Sequence, residues 1–160
     1  MENTHTNTIS IFVDGAARNN PGPAGAGVYI TYKDEIICKA GFYLGNKTNN
    51  QAEYLALLLA FFIANKQLSQ KNIKKPHLII SSDSELMVKQ MTGVYRVKNQ
   101  ALAKIKNLID LLLQNQSYTF KHVFRENNVI ADALANQGID KKNALPLDFV
   151  TLLADHAVDL

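Results

Sequence analysis

Apolar and polar positions alternate along the first third of the chain and then switch to helical spacing. Thr8–Val13 is rich in β-branched and aromatic residues and predicts a strand that closes at Asp14-Gly15. A loop dense in Gly and Pro follows, from Ala16 to Gly25. Gly27–Lys33 predicts a second strand, Asp34-Glu35 a two-residue turn, and Ile36–Leu44 a third strand. Such short connections favour an antiparallel meander. From Asn50 to about Lys66 the pattern is that of a helix apolar nearly all round, hence buried against more than one neighbour. Gln67–Pro76, with Lys71, Lys74 and Lys75, reads as a surface connection, and His77–Ser82 as a fourth strand. A short helix is expected over Ser84–Met91, then a turn at Thr92-Gly93. Asn99–Gln114 sets Leu102, Ile105, Ile109 and Leu112 at helical spacing. Tyr118–Phe124 alternates as a fifth strand, and Asn128–Gln137 is a helix stopped at Gly138.

The order βββαβααβα predicts an α/β domain with a mixed five-stranded sheet, three antiparallel strands then two parallel, and helices on both faces. Residues 1–140 form this single domain. Residues 141–160 are a C-terminal tail whose apolar residues (Leu147, Phe149, Val150, Leu152, Leu153) pack as a last helix or fray. The pattern leaves open whether the tail docks on its own domain or on a second copy.

Composition narrows the setting. At 160 residues, 47% hydrophobic and 19% charged, the chain has the make-up of one ordinary globular domain. A net charge of +3 permits a nucleic-acid partner without requiring one. Cys38, the only cysteine, excludes an intramolecular disulfide and a cysteine metal cage, and reads as a buried small hydrophobe. Met1–Asn7 has no secretory pattern, and the longest apolar stretch, Leu55–Ala64, is too short for a bilayer. The expectation is a cytoplasmic protein with no membrane and no disulfide-linked partner. It is expected to be a monomer, with a tail-mediated dimer as the other option.

Four acids fall where strands end or helices begin. Asp14 is in phase with Phe12 and out of phase with Ile11 and Val13, and an acid buried on a sheet face costs several kcal/mol unless paired or cation-bound. Taken singly, each has a simpler explanation. Asp14 can start a turn, and Glu53 can complete a capping box with Asn50. Asp83 can cap a helix, and Asp132 can complement a helix dipole. Jointly they point elsewhere. If the first and fourth strands are parallel neighbours, Asp14 and Asp83 meet at one sheet edge, within reach of the two helix-borne acids. Converging carboxylates repel unless divalent cations neutralise them. All-oxygen ligands suit Mg²⁺ or Mn²⁺, and two such ions about 4 Å apart form a phosphoryl-transfer clamp.

The residues also carry a resemblance. Phe12-Val13-Asp14-Gly15, Asn20-Pro21-Gly22-Pro23-Ala24-Gly25, Thr48-Asn49-Asn50-Gln51-Ala52-Glu53, Ser82-Asp83-Ser84 and Ala131-Asp132-Ala133-Leu134-Ala135 resemble, in order, the motifs of ribonuclease H type 1. The likeness runs from about residue 8 to residue 138. It implies the ribonuclease H fold and two-metal hydrolysis of the RNA strand of an RNA–DNA hybrid, leaving 5′-phosphate and 3′-hydroxyl ends. It implies Asp14, Glu53, Asp83 and Asp132 as catalytic metal ligands. Asn20, Asn49, Asn50 and Gly15 would contact the hybrid, and Thr48 would sit in a phosphate pocket for the DNA strand. Sensing a ribose 2′-OH needs a group that both donates and accepts, which an amide does and a lysine does not.

Three departures from better-known members stand out. No histidine lies in the loop before the last helix, where Arg125 or Glu126 would have to substitute in part. Thr92–Asn99 is too short for a basic protrusion, so weaker hybrid affinity is expected. Glu85 stands where a glutamine is common. These features resemble a minimal branch of the family. Two other readings stay open: a nuclease of exonuclease or strand-transfer type on the same fold, and a weakly active hybrid-binding protein.

Overall fold

A computed structural model describes residues 7–160; the polar stretch 1–6, read above as lacking a secretory pattern, lies outside them. Strands β1 (Thr8–Ala17), β2 (Gly22–Tyr32) and β3 (Glu35–Lys47) form an antiparallel meander. Helix α1 (Asn49–Gln70) leads to β4 (His77–Ser82), then α2 (Glu85–Met91), α3 (Gln100–Leu112), β5 (Tyr118–His122), a 3-10 turn (Arg125–Asn127), α4 (Val129–Lys141) and α5 (Leu147–Asp155). The sheet order is β3-β2-β1-β4-β5, with β4 parallel to β1 and β5 parallel to β4. This is the mixed five-stranded α/β sheet that the pattern predicts.

Alternation along β1 explains the layering. Ile9, Ile11 and Val13 are fully buried towards α1, and α1 is itself enclosed between the sheet and α3. Its residues Tyr54 to Phe61 are all buried, as an all-round apolar helix requires. On the other face α4 lies across β1, β2 and β3.

Several boundaries differ from expectation, each for a physical reason. The Gly/Pro-rich stretch is mostly strand: β1 and β2 stay in register through Ala16↔Gly25 and Ala17↔Ala24, and the Arg18 N–H donates to the Pro23 carbonyl at 2.8 Å. Only Arg18–Pro21 remains as a loop. Helix α1 starts one residue before the expected cap. Thr48 is the N-cap and Gln51 completes the capping box, which releases Asn50 and Glu53 from that duty. Gly138 does not stop α4; a Cβ there would stand 2.4 Å from the Phe42 carbonyl oxygen, so glycine lets the helix lie against β3. Strand β5 ends at His122, two residues early. Cys38 is half-buried rather than buried, because β3 is an edge strand.

The tail docks on its own domain. Phe149 is fully buried with its ring 5.4 Å from that of Phe62, and Leu153 and Val158 join the same core. Lys66 pairs with Asp148, and Asn143 ties the approach to Gly41 and Tyr43 of β3. No helix among the described residues is long and apolar enough to cross a membrane. Replacing Phe149 with Ala is expected to cost about 3–5 kcal/mol of stability. Urea unfolding measures this, and a loss below about 1 kcal/mol would mean that the tail is peripheral to the core.

Candidate active site

Pairing between β1 and β4 ends at Phe12↔Ser81, while β1 runs on beside β2 to Ala17. The two parallel strands therefore part just before Asp14 and leave a notch in the sheet. Asp14 sits in it, buried, two residues beyond Phe12, the last residue of β1 paired with β4. Asp83 follows β4 on the opposite side; Ser84 caps α2 by accepting from the Met87 N–H, so Asp83 carries no capping role. Glu53 enters from α1. Its approach depends on Gly15, where a Cβ would lie 2.2 Å from the Ala52 carbonyl carbon. The Gly15 N–H donates to Glu53 Oε1 at 3.2 Å. Helix α4 comes down over Gly27, the cross-strand partner of Asp14, where a Cβ would meet the Ala131 carbonyl oxygen at 2.0 Å. The next residue is Asp132.

Carboxylate oxygens of Asp14, Glu53 and Asp83 lie within 4.8 Å of one another. Asp132 stands outside that trio and lines the same cleft of about 530 Å³. Burial first, then the charges of Asp83 and Asp132, push Asp14 up from 3.8 to about 7. Burial first, and the Asp14 charge second, hold Glu53 well above the usual carboxylate range. Glu53 Oε2 is buried without a hydrogen-bond partner, a costly state for a carboxylate oxygen. An orphaned oxygen amid clustered carboxylates is the donor set of a hard divalent cation.

The residues expected to touch a substrate divide into two groups. Asn49, Asn50 and Gly15 line the cleft. Asn20 and Asn49 are joined: the Asn49 N–H donates to Asn20 Oδ1 at 3.0 Å, and the Ala17 N–H donates to Asn49 Oδ1 at 3.1 Å. Both side-chain NH₂ groups stay free of these bonds. Arg18 fixes the same hairpin to α4 through Asp140 at 2.6 Å and Asn136 at 3.3 Å. Thr48 Oγ1 accepts from the Gln51 N–H, which leaves its O–H to donate. The Gly15 N–H is already engaged by Glu53. Arg125 lines the cleft; Glu126 instead borders a separate groove of about 220 Å³ with Phe12 and Tyr29. His122 and Phe124, not expected at the site, line the main cleft.

Comparison with known proteins agrees with this geometry. A family model described as Reverse transcriptase-like matches residues 12–138. Ribonuclease HI of Halobacterium salinarum is 34% identical over 82% of this chain. The structure of LC11-RNase H1, isolated from compost and solved in complex with an RNA/DNA hybrid, is 39% identical with a TM-score of 0.76, covering 83% of this chain and 97% of that one. The chain belongs to the type 1 ribonuclease H family. The N-terminal RNase H domain of a Mycobacterium tuberculosis protein is 31% identical, with a TM-score of 0.75, over 83% of this chain and 99% of that domain. This chain spans 64% of the curated Halobacterium protein and 35% of the curated mycobacterial protein, which is named bifunctional.

One positioning residue of this ribonuclease H chain was hidden in the sequence. Asn128 looks like a helix cap, yet its side chain makes no cap bond. It is buried, and its Nδ2 donates to the Val13 carbonyl at 2.9 Å, tying the start of α4 to the residue before Asp14. Asn128→Ala should cost about 1–3 kcal/mol by leaving that carbonyl unpaired, and a thermal shift below that range would show that water takes its place. The raised Asp14 gives a second prediction. A carboxyl whose folded value exceeds its unfolded value lends stability that is complete below 3.8 and lost as pH rises through about 7. In EDTA, Asp14→Asn should therefore gain on the parent as pH rises, by roughly 2 kcal/mol near neutrality. Mg²⁺ should shrink the gap. A pH-independent difference in urea unfolding would contradict the raised pKa of Asp14.

Proposed function

We propose that this chain is a metal-dependent endonuclease that hydrolyses the RNA strand of RNA–DNA hybrids, leaving 5′-phosphate and 3′-hydroxyl ends. The reading is carried by one observation: three carboxylates within 4.8 Å, one with a partnerless buried oxygen, at the floor of a cleft walled by exposed asparagines. The hybrid bound to LC11-RNase H1 supports the choice of substrate.

Asp14, Glu53 and Asp83 would hold one Mg²⁺ or Mn²⁺, and Asp14 with Asp132 a second. Bound there, the ions would lower the pKa of an attacking water and neutralise charge on the phosphate and leaving oxygen. The chain's own residues do the rest. Asn20 and Asn49, locked to each other through one amide oxygen, turn their remaining amide groups to the minor groove, where the 2′-OH marks the RNA strand. Thr48 donates its O–H to a phosphate of the DNA strand. Asn50 adds a further polar contact, and Arg125 balances phosphate charge beside the cleft. Every catalytic group lies within residues 1–140, and the tail contributes to the core behind α1. A monomer is the working form, because Phe149, Leu153 and Val158 of the tail are buried in the core of their own domain. The lone cysteine fits a reducing, cytoplasmic setting.

The test offers labelled RNA–DNA hybrid, DNA duplex, RNA duplex and single-stranded RNA, each with Mg²⁺, Mn²⁺ or EDTA. Internal cuts confined to the RNA of the hybrid are expected, and Asp14→Asn should lower the rate by roughly 10³-fold or more while staying folded. Metal-dependent hybrid binding without cleavage would replace the enzyme by a hybrid-binding protein.

A further inference from the structure

Phe124 is an anomaly in the cleft. The residue is 67% exposed, yet it is not on a loose loop. Just before it, the Val123 N–H donates to the Ser82 carbonyl at 2.9 Å; just after it, the Asn127 N–H donates back to the Phe124 carbonyl at 2.8 Å. The ring stands 6.0 Å from that of His122 at 70°, an edge-to-face contact. Single exposed aromatics are common on protein surfaces and need no purpose. This one is held on both sides and, among the described residues, is the one phenyl ring in a cleft lined otherwise by the carboxylates, Asn49, Asn50, Ser84, His122, Arg125 and small apolar residues.

The chemistry of a hybrid limits what such a ring can touch. Phosphate oxygens are charged, and the bases are paired and stacked inside the duplex. The apolar surface left along the backbone is the C–H face of the sugars, displayed across the wide, shallow minor groove. An aromatic face, negative in quadrupole, attracts those polarised C–H groups, and it adds no charge to compete with the carboxylates for a cation.

The geometry points to Phe124 as a positioning residue: braced by His122, its ring seats the ribose next to the scissile phosphate of the RNA strand. This rests on the reading of the chain as a hybrid endonuclease. The contact sets where the RNA backbone lies over the carboxylates, and it partly compensates for the short Thr92–Asn99 segment, which offers only Arg96 and Lys98 as basic residues.

The experiment compares parent, Phe124→Ala and Phe124→Trp on one defined hybrid. It reads KM and kcat, the Kd of each in an Asp14→Asn background, and the melting temperature. Phe124→Ala should raise KM and Kd together by about five- to tenfold, with a smaller change in kcat and an unmoved melting temperature, and Phe124→Trp should restore both. KM and Kd within about twofold of the parent overturn the assignment. So does a loss that follows a lowered melting temperature, which would mark a structural role. If the parent binds hybrid without cutting it, the endonuclease reading fails and Kd alone decides the ribose contact. If it neither binds nor cuts, both fall.

Discussion

Three acids forced within 4.8 Å of each other, with a fourth beside them, are the constraint around which the other parts are arranged. Desolvation and mutual repulsion both oppose ionisation there, so the arrangement works against the fold until a cation enters. Something must hold the groups together meanwhile. The notch supplies room because β1 and β4 part before Asp14. Close contacts supply proximity: Gly15 admits α1, Gly27 admits α4, and Asn128 ties α4 back to β1. Each removes a degree of freedom along which the acids could separate.

Much of this was legible because it follows from periodicity. Alternation placed Asp14 on the face opposite Val13, and the all-round apolar run from Leu55 made α1 a buried helix on which a glutamate needed a reason. Asp83 was identifiable as the residue after an apolar strand. What stayed hidden depends on contacts distant in sequence. The Ala16–Gly25 stretch has the composition of a loop, and only pairing across the hairpin makes it strand. Gly138 has the signature of a helix stop, and only Phe42 shows why the helix passes through it. Asn128 and Thr48 are both good caps by type. Thr48 caps α1, whereas Asn128 spends its side chain on a strand carbonyl 115 positions away. Glu126 and Phe124 are two residues apart, yet the 3-10 turn between them sends one to a separate groove and the other into the cleft.

The substrate side obeys a gentler rule. Asn20 and Asn49 use one amide oxygen each to fix the hairpin and the start of α1 to each other and keep their NH₂ groups for a ligand. A side chain whose torsions are already set loses less entropy on binding than a free one. Preorganisation of this kind suits a chain with few basic residues near the cleft, since it cannot rely on charge alone for grip.

Helix α1 joins these demands in one element. It carries Glu53, is capped by Thr48, opens with Asn49 and Asn50, and fills the centre of the core. Its C-terminal half is braced by α5 through Phe62, Lys66 and their partners in the tail, a segment beyond the family match at residue 138. A rigid helix transmits a displacement at one end to the other, because its backbone hydrogen bonds are continuous along its length. Loosening the tail would therefore act on the carboxylates only through movement of α1 as a body. Phe149 and Leu153 add buried apolar surface behind the helix, a stabilising contribution to the same fold that bears the cost of gathering the acids.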